Sequence, residues 1–319
     1  MDNLTHSLAG AVLGQIGLKR KTGLAMPTLI IAANLPDIDA FAVLLGGHQH
    51  LALRRGITHG PIAMLVLPMM LWAIMLGYDR WQAGRGTRPE KRLPLHAGWL
   101  LAIAYIGTLS HPALDWLNNY GIRLLEPFSS QWFYGDTLFI IDIWVWMALI
   151  AGLWLSRKRE KAGRTNWRKP AIMAFSAIFA YIVANALLST HAENAAKKLV
   201  VARYDQTASM PDPLVVANAV PIAFWQREIV WRDAFEMGKG EYLLGRGASI
   251  DRKSYPHRMD SLSGTVDAVA HDRDARDFLF WARMPFAETD RAGNIVIRDQ
   301  RFDNRGVRNS FQVIVPPKP

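Results

Sequence analysis

The chain has no cysteine. It can hold neither a disulfide nor a thiolate metal site, so any metal must bind through His, Asp or Glu. Charge is missing too over two long stretches: residues 60 to 78 and 171 to 189 contain no Asp, Glu, Lys or Arg. Each is long enough to cross a bilayer as a helix. Two further apolar runs, 97 to 117 and 137 to 156, are interrupted only by His111 and Asp115 near the end of the first and by Asp142 in the second. Four spans are therefore expected. Segments 4 to 18 and 24 to 46 are shorter or broken, and either cross or dip into the membrane. No basic stretch precedes the first of them, so a cleaved signal peptide is not expected.

What is there is basic: the formal net charge is +10. Nucleic acid is not the expected partner, because Lys and Arg gather in short connections between the apolar runs. Lys19, Arg20 and Lys21 form one group, Arg80, Arg85, Arg88, Lys91 and Arg92 a second, and the stretch from Arg157 to Lys169 a third. Short loops rich in Lys and Arg stay in the cytoplasm. This orientation puts residues 36 to 59 and 112 to 136 on the outer side and everything after about residue 190 in the periplasm.

The expected fold is mainly α: a polytopic helical membrane domain over residues 1 to 192, followed by a small β-rich periplasmic domain over 193 to 319. The second domain is read from strand-like runs KLVVARY, REIVWRD, FLFWARM, NIVIRD and FQVIV between Gly, Asp and Asn. Residues 205 to 213 look like an irregular entry to it. No ordered site is expected there, and His257, Asp260 and His271 read as surface residues.

Candidate chemistry lies in the helical part. In GTLSHPALDWL, His111 and Asp115 stand four apart, which puts both on one helix face. In NLPDIDA, Asp37 and Asp39 follow Pro36 at the end of an apolar run; two carboxylates so close repel unless a cation or protons neutralise them. RGITHG carries His59 next to a long apolar run, with Arg55 one turn before it, and LTHSLAG carries His6. Each motif alone also has a plain structural explanation: a cap, a turn or a hydrogen-bonded pair. The orientation argument brings all four to the outer ends of their helices. His6, Asp37, Asp39, His59, His111 and Asp115 are thus the candidate ligands for one or two divalent ions, zinc first and manganese as the alternative. Asp142, Asp136 and His191 rank below them, and His48 and His50 read as solvated loop residues.

With these motifs the chain resembles the bacterial inner-membrane metal-dependent hydrolases typified by YdjM, a family linked to LexA. The likeness runs through THSLAG, NLPDID, RGITH and HPALD in order. It implies a membrane-bound hydrolase with a divalent metal at the six positions named. One departure is Arg54, where the family pattern often has a histidine before Arg-Gly. The LexA link comes from the resemblance alone. In motif types the set also resembles the helical zinc-dependent phospholipase C and nuclease site, which favours phosphoesters; that site's N-terminal amine and HxxxE motif have no counterpart in the sequence.

The expected activity is attack of a metal-activated water on an ester or phosphoester, with Arg55 adding charge stabilisation. A site at the membrane boundary suits a lipid, another amphiphile or a small molecule as substrate. The rival readings are a metal-binding transporter and a membrane-anchored periplasmic binding or assembly protein.

Overall fold

In the computed structural model the chain is described at every residue except Gly47, 205–211, 260–269, Arg305, Val307 and 317–319. Asp2 starts the first helix. Its carboxylate accepts from the backbone N–H groups of Leu4 (3.0 Å) and Thr5 (3.1 Å), satisfying donors that α1 (Asn3–Ile16) leaves open. Then come α2 (Ala25–Ala32), a 3₁₀ stretch (Leu35–Leu45), the short α3 (Gln49–Leu53), a 3₁₀ turn (Ile57–His59), α4 (Pro61–Gly84), α5 (Ala97–Asp115), α6 (Ile143–Lys161) and α7 (Lys169–Val201).

Two glycines let α2 lie against both α1 and α5. A Cβ on Gly10 would sit 2.7 Å from the Leu29 carbonyl oxygen, and one on Gly107 would sit 2.6 Å from Ala32 Cβ. Close approach through small residues is how helices pack in lipid, where burying apolar side chains gains little. The burial pattern agrees. Met173, Phe179 and Leu187 are exposed, whereas His6, His59, Thr108, His111, Asp115 and Asn118 are buried.

Among the described residues, α4, α5 and α7 are long and apolar enough to cross a membrane. The segment Ala25–Ala32 with Leu35–Leu44 makes a fourth if this pair, bent by 43°, counts as one span. The expected span over 137 to 156 needs correction. Its helix begins only at Ile143, where Asp142 caps it, and its last turns carry Arg157, Lys158, Arg159, Glu160 and Lys161. Too little uncharged helix remains to meet the length of the others.

By contacts the chain divides into two units: Met1–Asp39 with Arg55–Asn185, and Ala40–Arg54 with Ala186–Pro319. The second is mostly antiparallel sheet. Strands β1 (Leu214–Ala219), β2 (Gln226–Arg232), β3 (Glu236–Leu243) and β4 (Gly247–Ile250) pair in sequence, with β5 (Tyr255–Pro256) also on β3. A second sheet has β6 (Pro285–Thr289), β7 (Ile295–Asp299) and β8 (Gln312–Val315) in order.

Two runs expected as strands are helical. KLVVARY begins as the end of α7, which continues because Ala192, Ala196 and Val200 repeat every four residues and bury against Val215, Ala217, Ile229 and Trp231. FLFWARM opens inside α8 (Arg273–Trp281), capped by Asp272 and burying Ala275, Phe278 and Trp281 at three-residue spacing. Most of the expected irregular entry, 205–211, lies outside the described residues, as does Asp260.

The stretch 40–54 folds with this second unit, where α3 packs on α8. His48 is bonded there: its N–H donates to Asp274 Oδ1 (3.1 Å), and its Nε2 donates to the Gln312 carbonyl (2.8 Å).

Candidate metal centre

Four of the six candidate ligands come together. Helix α5 supplies His111 and Asp115 from one face, the 3₁₀ stretch after α2 supplies Asp37, and the turn before α4 supplies His59. One ligand atom from each lies within 4.8 Å of the others, and all four residues are buried. His111 Nε2 is 3.6 Å from Asp37 Oδ1 and 3.6 Å from Asp115 Oδ2; His59 Nε2 is also 3.6 Å from Asp115 Oδ2.

Hydrogen bonding fixes the tautomers. His111 Nδ1 lies 2.7 Å from the Ala33 carbonyl oxygen, which can only accept, so the proton is on Nδ1. Thr58 Oγ1 gives its proton to Asp39 Oδ2 (2.8 Å), so it must accept from His59 Nδ1 at 2.9 Å. As neutral imidazoles, both residues then carry their lone pairs on Nε2, and these two atoms face each other at 3.1 Å. Two lone pairs so placed repel unless a cation or an extra proton lies between them. With two carboxylates beside them, the donor set suits a divalent ion.

The other two candidates stand next to this group. His6 stacks on His111 with ring centroids 3.8 Å apart, and its Nε2 lies 3.2 Å from Asp115 Oδ1. Its Nδ1 is buried without a hydrogen-bond partner among the described residues. Asp39 lies behind His59, holding Thr58 Oγ1 and the Arg55 N–H (2.7 Å), with His59 Nδ1 at 3.4 Å.

Arg55, buried and at φ 53°, places its Nε 2.8 Å from Asp115 Oδ2. Its Nη1 donates to Asn118 Oδ1 (2.9 Å), and the guanidinium lies 4.8 Å from the Tyr120 ring centroid.

The lower-ranked residues lie elsewhere. Asp142 caps α6 by accepting from the Trp144 and Val145 N–H groups, and it also accepts from Tyr181 Oη (3.1 Å). His191 makes an edge contact with Tyr242 in the second unit. Asp136 is buried in a left-handed turn (φ 45°).

Sequence reasoning missed several members of the site. The Met1 α-amino group donates to Asp115 Oδ1 and is fully buried. Asn118 and Thr58 position Arg55 and His59. Weak signals existed for both: Thr58 precedes His59, and Asn118 follows Asp115 by three residues, close to the same helical face.

A family model, YdjM inner membrane protein, matches residues 1–192. The chain belongs to this family. The match includes every residue of the site and ends within α7. Curated proteins and solved structures gave no match. Membership in an inner-membrane family and three candidate spans together make this a membrane protein, and its buried Asp37, His59, His111 and Asp115 could hold a metal ion.

Proposed function

We propose that the protein is a metal-dependent hydrolase acting on an ester or phosphoester, with a lipid or another amphiphile as the favoured substrate class. One observation carries this reading: the two Nε2 lone pairs converge at 3.1 Å beside two buried carboxylates. Asp37, His59, His111 and Asp115 would hold the ion, zinc first and manganese second. The ion would supply Lewis acidity, making a water nucleophilic near neutral pH and stabilising charge that develops on the substrate oxygen.

The chain's own residues do the rest. The Ala33 carbonyl and the Thr58–Asp39 pair keep both imidazoles in the ligating tautomer. Arg55 orients Asp115 and is the nearest guanidinium to a developing oxyanion. His6 Nδ1, without a hydrogen-bond partner among the described residues while Nε2 faces Asp115, would be the base that takes a proton.

The test is elemental analysis of the detergent-purified protein beside a His111→Ala/Asp115→Ala variant. Stoichiometric zinc or manganese, lost in the variant, with metal-dependent release from a phosphoester or phospholipid, is the expected result. Protein that stays metal-free after zinc loading overturns the proposal.

A second reading has its own observation. The bent pair of α2 and the 3₁₀ stretch places Asp37 just after a break in an apolar helix, and interrupted helices bind ions in transporters. Metal uptake into proteoliposomes without hydrolysis would favour that function.

The positive-inside pattern supports cytoplasmic basic connections and a periplasmic C-terminal unit, an arrangement that requires α6 to cross as well, with its short uncharged part ending at Arg157–Lys161 on the cytoplasmic face. On that placement, only the basic connections would meet a LexA-type repressor. Because the chain lacks cysteine, single substitutions give a clean test: Thr87→Cys should react with an impermeant thiol reagent only after the membrane is opened, and Arg291→Cys in intact spheroplasts. The reverse pattern overturns the orientation.

A further inference from the structure

His257, expected at the surface of the C-terminal unit, is buried there as a strut between its two sheets. Its Nε2 donates to the Ala234 carbonyl (2.8 Å), its N–H to the Phe235 carbonyl (3.2 Å), and its own carbonyl accepts from the Ala287 N–H (3.0 Å). Those bonds are complete within the chain. The helical unit holds a feature of another kind, an open groove of about 490 Å³ lined by α6 and by Leu8 of α1.

Ile150, Leu153 and Trp154 line one half of the groove, and Arg157, Lys158 and Lys161 line the other. These positions recur at three- and four-residue spacing and make one continuous helix face. The inward face is carried instead by Val145, Leu149, Gly152 and Ser156, and a Cβ on Gly152 would sit 2.4 Å from Ala174 Cβ of α7. Helix α6 therefore packs through those residues and turns outward a stripe that is apolar first and cationic at its end. Leu8 and Leu153 form the floor, half-buried against the core shared by α1, α6 and α7, while Ile150 and Trp154 are exposed.

The cations at the end of the stripe are not taken up by carboxylates. In the other basic connections Lys19 and Arg20 pair with Glu160, and Arg88 and Arg92 pair with Asp79 (3.4 and 3.0 Å). Glu160 thus faces those two cations, and no Asp or Glu lines the groove. Arg157, Lys158 and Lys161 have no ion-pair partner among the described residues; Lys158 lies 5.1 Å from the Trp154 ring centroid. The macrodipole favours basic residues at a helix C-terminus, but it does not explain a groove that leads from them along an apolar stripe.

Length is a second observation. The uncharged part of α6, Ile143–Ser156, measures about 21 Å at ~1.5 Å per residue, against about 30 Å of hydrocarbon. Where so short a helix crosses, the bilayer thins around it and headgroups are drawn toward its charged end. We propose that the groove binds one anionic phospholipid, its phosphodiester held by Arg157, Lys158 and Lys161 and an acyl chain lying along Trp154, Leu153, Ile150 and Leu8. Basic pockets beside membrane helices hold anionic headgroups in this way. A zwitterionic lipid would bring its own ammonium among three cations and is disfavoured. The site rests on α6 lying in the membrane and not on the hydrolase reading, since none of its residues belongs to the metal centre.

The test uses the full chain in detergent, stripped of lipid and titrated with phosphatidylglycerol or with phosphatidylcholine of the same acyl chains, with bound lipid counted by native mass spectrometry. One phosphatidylglycerol per chain, held at least about tenfold more tightly than phosphatidylcholine, is the expected result. Arg157→Gln/Lys158→Gln/Lys161→Gln should remove that preference. Lys91→Gln/Arg164→Gln/Lys169→Gln takes the same charge from exposed positions outside the groove and should keep it. Ile150→Trp fills the apolar half with every charge in place and should weaken both lipids.

Equal affinity of the wild type for the two lipids overturns the proposal. So does a preference that survives in the first triple variant or vanishes in the second, and so does unchanged lipid binding in Ile150→Trp. Displacement of phosphatidylglycerol by millimolar inorganic phosphate would show a small-anion site in place of a lipid site, and overturns it as well.

Discussion

Each unit of the molecule buries an aspartate against an arginine, and the two pairs are finished differently. In the β unit, Asp299 accepts from the N–H groups of Arg283 (2.8 Å), Met284 (3.2 Å) and Arg301 (2.9 Å), and from Arg301 Nε (3.0 Å) and Nη2 (2.8 Å). Both oxygens are served by fixed donors, and the guanidinium lies 5.1 Å from the Trp281 ring centroid. In the helical unit, Asp115 meets Arg55, the Met1 amine and three imidazoles, two of which point lone pairs at one another. The first pair is complete within the chain. The second is a set of donors that a cation would complete, and that difference separates a structural ion pair from a candidate site.

The sharpest way to break this comparison is to remove each carboxylate in turn. Asp299→Ala leaves a buried guanidinium and three N–H groups without their acceptor. It should cost the β unit about 3–5 kcal/mol, read by chemical denaturation, with metal content unchanged. Asp115→Ala should abolish metal binding instead; if it retains stoichiometric metal, the two aspartates are alike and the contrast fails.

A smaller effect is expected at Asp39, which would act on a bound metal through Thr58 and His59. Asp39→Ala should lower zinc affinity about 10–100-fold in chelator competition without removing the site. An unchanged affinity would show that His59 is held without it.

The smallest effect is in pH. Burial alone would raise the Asp299 carboxyl, but the Arg301 charge and the hydrogen bonds outweigh it and hold the group below the usual carboxylate range. Its stabilising contribution is therefore full above the ordinary carboxylate value near 4 and is lost as pH falls through the lowered one. Melting of the wild type should show this acid loss, and Asp299→Asn should lack it. Equal acid sensitivity in both would assign the loss to other groups.

Much of the helical unit was legible because lipid imposes a simple rule, an apolar run of sufficient length. The motif residues were legible because an ionised or imidazole side chain in such a run needs a partner. Run length did not locate the start of α6, since Asp142 can sit inside an apolar segment and still cap a helix. It could not separate Asp37 from Asp39 either, because the direction of each carboxylate is set by the 3₁₀ stretch and not by spacing. In the β unit, Val and Phe content suggested strands at KLVVARY and FLFWARM, but spacings of three and four residues and the Asp272 cap decided for helix.

The excursion 40–54 leaves the first unit just after Asp39 and returns just before Arg55, while its own residues fold with the second. Neither unit is thus a continuous stretch of sequence, and no single cleavage of the chain separates them. A fragment ending at residue 192, where the family match stops, would keep α3 and lose α8, the helix on which α3 packs. Truncation there would leave 40–54 as an unsupported loop between Asp39 and Arg55, both beside the candidate metal centre, so losing function in such a fragment would not show that the C-terminal unit takes part in the chemistry.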